Sequence, residues 1–298
     1  MAGPDGLHMC LVHPPLHMTV STLQRQGLTQ RYNEVMLRET LLRLFRVLDF
    51  LHTVANVVHT DISAFNIMLT VDDDSMFKDF EKAEQETPTP RKIIDEKRTI
   101  YTSRSFRFPI GGLWGEPVLC DFGQARIGRC HQGDIQPERY KAPEVLFEMG
   151  WSYSADIWNV GAMGLLRRDT EVSTELDYSS QIWDIFEDKF MFDAFDEDLQ
   201  YSASHHVAEM VAYFGLPPLH YLNRSEVTRN VFDEHGQWEG AGGLHIPQIS
   251  LEGSEENLEG RNQELFLQFM RSMLRWVPEE RKTARELLDD PWLNKKGE

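Results

Sequence analysis

"VVHTDISAFNIML", residues 57–69, sets an aspartate, Asp61, five positions ahead of an asparagine, Asn66, in a polar loop between two apolar runs. Upstream, Leu37, Leu41, Leu44, Phe45, Leu48 and Leu51 recur at helical spacing from Asn33 onward, so a long helix with one apolar stripe feeds the loop. Downstream, Ile67 to Leu69 reads as a brief strand, and "PVLCDFG", residues 117–123, reads as another that runs into Asp121. Helix, loop and two strands thus deliver two carboxylates and one amide.

Phosphoryl transfer uses that set. One carboxylate accepts or orients the substrate hydroxyl, while an amide oxygen and a second carboxylate hold Mg²⁺ against nucleotide phosphates, because the metal must neutralise charge on the transferring group. Asp61, Asn66 and Asp121 have the chemistry for those roles. Taken singly, an H-x-D tripeptide or a D-F-G is an ordinary turn or strand end; order and number give them weight. "YKAPE" (140–144), "SADIWNVG" (154–161) and "PEERKTARELLDDPWL" (278–293) follow in turn.

With "HTD" (59–61), "GWSYSADIWNVGA" (150–162), "FGLPPLHYL" (214–222) and "SMLRWVPEERKTARELLDDPWL" (272–293), nearly the whole chain resembles the protein kinase superfamily, and within it the serine/arginine-protein-specific kinases of fungal type. The resemblance implies a mainly α fold: a protein-kinase-like C-terminal helical lobe with a few short β-strands. It implies ATP and Mg²⁺ as cofactors and transfer to serine in basic, Arg/Ser-rich proteins, by a chain taken as a monomer. Asp61 would be catalytic, with Asn66 and Asp121 on metal and nucleotide. Glu144 would pair with Arg281 in a buried bridge, an arrangement costly to leave half-made, and Asp156 would be structural. "CLVHPPL" (10–16) looks like the hinge, with His13 near the gatekeeper position, Pro14 offering its carbonyl and Leu16 its backbone N–H to adenine.

Departures from the family pattern shape the functional expectation. A kinase needs a Gly-rich loop, a strand lysine and a helix glutamate upstream of the hinge, yet there is no lysine before Lys78. The chain therefore reads as a truncated kinase domain over 1–298, with 1–16 as the end of an N-terminal lobe plus hinge and 17–298 as the C-terminal lobe. Ser63 stands where the family has the lysine two residues after the catalytic aspartate, and Pro137 where it has a bracing threonine. Loss of such a charge removes about 3 kcal/mol of transition-state stabilisation. Thr60 replaces the arginine that receives an activation-loop phosphate, and 121–144 contains no serine or threonine, so activity without activation-loop phosphorylation is expected. The leading expectation is a serine/threonine kinase by descent, impaired or inactive as this chain; a second is a non-catalytic module that binds basic partners, and a third is an incomplete gene model with the missing lobe encoded upstream.

Composition limits the rest. A formal charge of −18 excludes a general nucleic-acid binder and suits a basic partner, with "FDAFDEDLQ" and "LEGSEENLEG" as acidic docking candidates beside the plainer reading of solvated surface. Three cysteines without C-x-x-C spacing indicate neither zinc nor a disulfide framework, and no apolar leader or spanning run is visible, so cytoplasm or nucleus is expected. "HMCLV" (8–12) reads as a strand stopped by Pro14 and Pro15. Residues 70–116 read as a polar surface excursion, in which Thr87-Pro88 and Thr89-Pro90 could be proline-directed sites or plain loop. "QELFLQFMRSMLRWV" (263–277) reads as a core helix, and Thr283 with Glu286 as a capping box. Residues 164–181 read as an insertion that interrupts the buried helix begun by "ADIWNVGAM".

Overall fold

The structure is a computed structural model that describes residues 2–3, 6–7, 9–26, 33–110, 114–162 and 190–295. The insertion expected at 164–181 lies outside the described residues, as does 182–189 of the helix expected to resume after it; the last three residues of that expected helix, Phe190, Met191 and Phe192, are not helical.

The organising element is helix α2 (Glu34–Phe50), preceded by α1 (Val20–Gln26). Asn33 caps α2, its side chain accepting from the Met36 N–H, which satisfies one of the free donors of the first turn. The stripe Leu37, Leu41, Leu44, Phe45 and Leu48 is buried along its length. A wide helical turn, Leu51–Ala55, ends at Asn56 in the left-handed conformation and drops the chain into the loop.

Three antiparallel strands flank that loop. β1 (Leu16–Thr19) pairs with β3 (Ile67–Thr70), which pairs with β6 (Pro117–Leu119) in the register Ile67↔Leu119, Met68↔Val118 and Leu69↔Pro117. A smaller ladder joins β2 (Val57–Val58) to β7 (Arg126–Ile127), tying the two ends of the site together.

The described part of the strand expected at 8–12, residues 9–12, is not a strand. Met9, Leu11 and Val12 are fully exposed and Pro14 and Pro15 lack donors, so the first strand of the three-stranded sheet begins at Leu16, where Thr70 supplies a partner. The excursion is also more ordered than its polarity suggested. It holds α3 (Ser75–Glu86) and a hairpin of β4 (Arg91–Ile93) and β5 (Thr99–Tyr101). Phe77 and Phe80 on α3 pack on Phe106, and His17 of β1 lies between Phe106 and Trp114. Where the excursion returns at Gly115, a Cβ would sit 2.0 Å from the Thr70 carbonyl oxygen, so only glycine fits that approach.

The helical remainder comprises α4 (Pro143–Leu146), α5 (Ser154–Gly161), α6 (Ala203–Phe214), α7 (Leu219–Leu222), α8 (Leu251–Ser254), α9 (Gly260–Met273) and α10 (Ala284–Leu288). Every residue of α5 from Ala155 to Gly161 is buried, the polar Asp156 and Asn159 among the apolar Ala155, Ile157, Trp158 and Val160. On α9, Phe266, Phe269, Met270 and Met273 face the core, and Phe269 packs edge-on against Phe45 of α2 and stacks on Trp292. Both halves of the Thr283–Glu286 capping box are made. These contacts set α2 and α5 as rigid walls on either side of the loop quoted above.

Candidate active site

Asp156 of α5 is buried beneath the loop and holds it by the backbone. Its Oδ2 accepts from the His59 N–H at 2.8 Å and its Oδ1 from the Thr60 N–H at 2.8 Å, while the His52 Nε2 donates to Oδ2 at 2.9 Å. A buried carboxylate needs such donors. With them it fixes Thr60 at φ 72°, a left-handed conformation that a β-branched residue adopts only under tertiary constraint. His59 is held as well: Nδ1 accepts from the Asp61 N–H at 3.3 Å and Nε2 donates to the Cys120 carbonyl at 3.0 Å, which fixes its tautomer.

The loop closes on itself through Asn66, whose Nδ2 donates to the Asp61 carbonyl at 2.8 Å and to Asp61 Oδ2 at 3.2 Å. The Asn66 carbonyl accepts from the Cys120 N–H at 2.7 Å, so the strand that ends at Asp121 is pinned beside the catalytic-type loop. Asp121 is exposed at φ 60°, and its Oδ1 accepts from the Gly123 N–H at 3.1 Å. Phe122 stands edge-on to His59 with centroids 4.9 Å apart. Burial pushes the Cys120 thiol above its ordinary pKa, and the neighbouring Asp121 charge acts in the same direction.

The residues fit a magnesium nucleotide. With Nδ2 turned onto Asp61, the Asn66 Oδ1 has no partner among the described residues, and neither has Asp121 Oδ2. Two hard oxygen donors on adjacent, hydrogen-bonded segments suit Mg²⁺, which keeps most of its waters and takes few protein ligands. When bound, the metal would supply charge neutralisation at the phosphates. Among the described residues no cluster of three His, Cys, Asp or Glu groups could hold a metal by itself.

Of the other expected positions, Ser63 belongs to the same loop, whereas none of Pro137, His13, Pro14 and Leu16 makes a hydrogen bond to Asp61, Asn66 or Asp121 among the described residues. Ser63 is buried one turn beyond Asp61, and its carbonyl accepts from the Asn66 N–H at 2.9 Å. Pro137 opens the short turn Glu138–Tyr140. His13 and Pro14 are exposed, and the His13 Nδ1 donates to the Pro14 carbonyl at 2.8 Å, so that carbonyl is engaged by its neighbour; Leu16 is half-buried in β1. A cavity of about 830 Å³ reaches His52, Tyr153 and Arg281, but none of Asp61, Asn66 and Asp121 lines it.

Glu144 and Arg281 form a two-bond bridge, Nη1 to Oε1 and Nη2 to Oε2 at 2.6 Å each, with both side chains at 0% exposure. The guanidinium also donates to the carbonyls of Ser154 and Arg275 and lies over the Trp158 ring. Sequence reasoning missed His52. Its signal was its place four residues after Leu48, where the turn Leu51–Ala55 continues the apolar stripe of α2 and a polar group needs a buried partner. It missed Gln136 as well, whose amide bridges the Ala155 carbonyl and the Ala142 N–H.

The protein kinase domain family matches residues 115–293. The chain belongs to the protein kinase family. Within that family it is 42% identical over 294 residues to a serine/threonine protein kinase of Aspergillus fumigatus, an alignment that covers 98% of this chain and 66% of the relative. It is 22% identical over 315 residues to the serine/threonine-protein kinase SRPK of Physarum polycephalum, covering 98% of this chain and 68% of that one. The crystal structure of a kinase domain shares the kinase fold, with a TM-score of 0.63 and 18% identity over 94% of this chain and 72% of that one. The chain thus spans 66% of the length of the Aspergillus kinase. The family match, which assigns 115–293 to the kinase domain, does not support the expectation that this chain is a kinase domain without its N-terminal lobe.

Proposed function

We propose that this protein is a serine/threonine kinase that transfers phosphate from Mg²⁺-ATP to serines in Arg/Ser-rich proteins, and that the 298-residue chain by itself is impaired in turnover. The observation that carries the reading is the closure of Asn66 on Asp61 beside Asp121, which groups a base, an amide oxygen and a second carboxylate. The substrate class draws on the similarity to the Physarum kinase and on the charge of −18, which favours a basic partner. Impairment is supported by Ser63, which cannot place a cation on the γ-phosphate, and by Pro137, which has no hydroxyl to brace Asp61. Monomeric action in cytoplasm or nucleus completes the proposal.

One observation favours a second reading. Ser63 and Pro137 together remove both members of one clamp, which suits a lobe kept for binding basic partners without transfer.

A fluorescent Arg/Ser-repeat peptide tests the substrate class. The chain should bind it and not an Ala/Ser-repeat peptide of equal length; equal affinity for the two, or none for either, contradicts the assignment.

A further inference from the structure

The β4–β5 hairpin reverses the character of the rest of the chain. Arg91, Lys92, Lys97 and Arg98 stand on it against Asp95 and Glu96, in a protein of net charge −18. None of the four cations has an ion-pair partner among the described residues, and Asp95 is turned inward to accept the Lys97 and Arg98 N–H groups at 2.9 Å each. Between the cations lie apolar side chains left in water: Ile93 is 71% exposed, Ile100 55% and Tyr101 63%.

The hairpin is a fixed feature, because its base is clamped. Arg104 Nε donates to Glu84 Oε2 at 2.7 Å, and the Thr89 N–H and Oγ1 reach Glu84 Oε1 at 2.8 and 2.9 Å. Arg107 holds the return segment to Asp79 at 2.6 Å and to Asp73 at 3.2 Å. A two-stranded hairpin is marginal alone and exposes two rows of backbone groups.

Register identifies the outward groups. The Thr102 N–H donates to the Pro90 carbonyl and the Ile94 N–H to the Arg98 carbonyl, at 3.0 and 2.9 Å. Antiparallel alternation then points the N–H and C=O of Arg91 and Ile93 away from β5, along a free edge. That edge carries the strand cations Arg91 and Lys92; the β5 edge carries Thr99 and Tyr101.

We propose that the free edge of β4 is a docking site for an extended acidic segment of a partner protein, which adds as a third strand with two consecutive carboxylates on Arg91 and Lys92, one on each face, and an apolar side chain beside Ile93. Main-chain bonds supply the affinity and alternate side chains the selectivity. A nucleic acid fits less well, because the apolar side chain on the free edge itself is the aliphatic Ile93, where single strands need stacking rings, and the hairpin's one exposed ring, Tyr101, stands on the β5 edge.

The test uses a fluorescein-labelled octapeptide, Val-Val-Glu-Glu-Val-Val-Glu-Glu, its counterpart with Lys in place of Glu, phosphatidylserine vesicles and polyuridine RNA, read by anisotropy and co-sedimentation. The acidic peptide should bind with a dissociation constant below about 0.1 mM, and the basic peptide should not. Ile93→Pro, which removes an outward N–H and leaves the hairpin ladder intact, and the double variant Arg91→Glu with Lys92→Glu should each weaken binding by about tenfold or more. Bound peptide should slow amide exchange at Arg91 and Ile93 and leave Lys92 unchanged. No binding, binding indifferent to Ile93→Pro, or capture of vesicles or RNA in place of the peptide overturns the proposal.

Discussion

The Thr60 hydroxyl donates to the Gln124 carbonyl at 3.0 Å, joining the catalytic loop directly to the segment that follows Asp121. In kinases with arginine at this position the same connection runs through a phosphate. Here a neutral hydroxyl, 1% exposed, makes it in one step, and the β2–β7 ladder reinforces it. Thr60→Val should speed amide exchange across 121–128 by about tenfold, the loss of roughly one hydrogen bond, while Thr60→Ser should not. Equal exchange in both variants would remove the hydroxyl from the account. In an active longer form of the protein, phosphatase treatment should leave activity unchanged.

Breaking the buried bridge on one side should cost more than removing it. Glu144→Gln or Arg281→Met leaves a charge at a site with no solvent access, and each should lower unfolding free energy by about 3–5 kcal/mol in urea titrations. Glu144→Leu with Arg281→Met should lower it by less than either single change. A double variant as unstable as the sum of the singles would contradict the pairing.

The segment beneath the Glu138–Tyr140 turn should impose a pH profile with two opposed limbs. Burial raises the Glu209 pKa from 4.5 to about 7, with Asp193 adding to the rise and Arg139 and the Ala194 N–H, at 3.2 Å, opposing it. The folded state therefore keeps a proton that the unfolded chain releases, and this stabilisation is full below 4.5 and lost as pH rises to about 7. Burial lowers the His206 pKa from 6.5 to about 3, helped by Lys141 and Arg139, so its contribution is full above 6.5 and lost as pH falls toward 3. The two limbs cancel in part between 4.5 and 6.5. Glu209→Gln, which can still accept from Ala194, should steepen the acid limb and gain up to about 3 kcal/mol over the parent at alkaline pH. Parallel profiles for parent and variant would contradict this.

Legibility in the sequence followed the range of the interactions. The stripe of α2 and the Thr283–Glu286 capping box depend on spacings of three and four residues, and both formed where the sequence put them. The bridge from Glu144 to Arg281 spans 137 positions and was legible only through family resemblance. "HMCLV" was misread because an apolar run cannot reveal whether a neighbouring strand exists to pair with it. The internal order of the excursion was not legible because it comes from ion pairs 20 to 34 residues apart, Arg104 with Glu84 and Arg107 with Asp73 and Asp79. His52 escaped notice because a histidine on an apolar stripe declares itself only when its partner, Asp156, is in view.

Transfer of labelled phosphate from Mg²⁺-ATP to an Arg/Ser-repeat peptide by the 298-residue chain, run beside Asp121→Ala, tests the account most directly. Asp121 is exposed and follows β6 by two residues, so the substitution leaves the core untouched and removes the carboxylate proposed as a metal donor together with its bond to the Gly123 N–H. The account predicts no transfer above the Asp121→Ala background, because Ser63 and Pro137 leave the assembled loop without its clamp. Measurable transfer that Asp121→Ala abolishes would show that the chain turns over as it stands, and the account would be wrong.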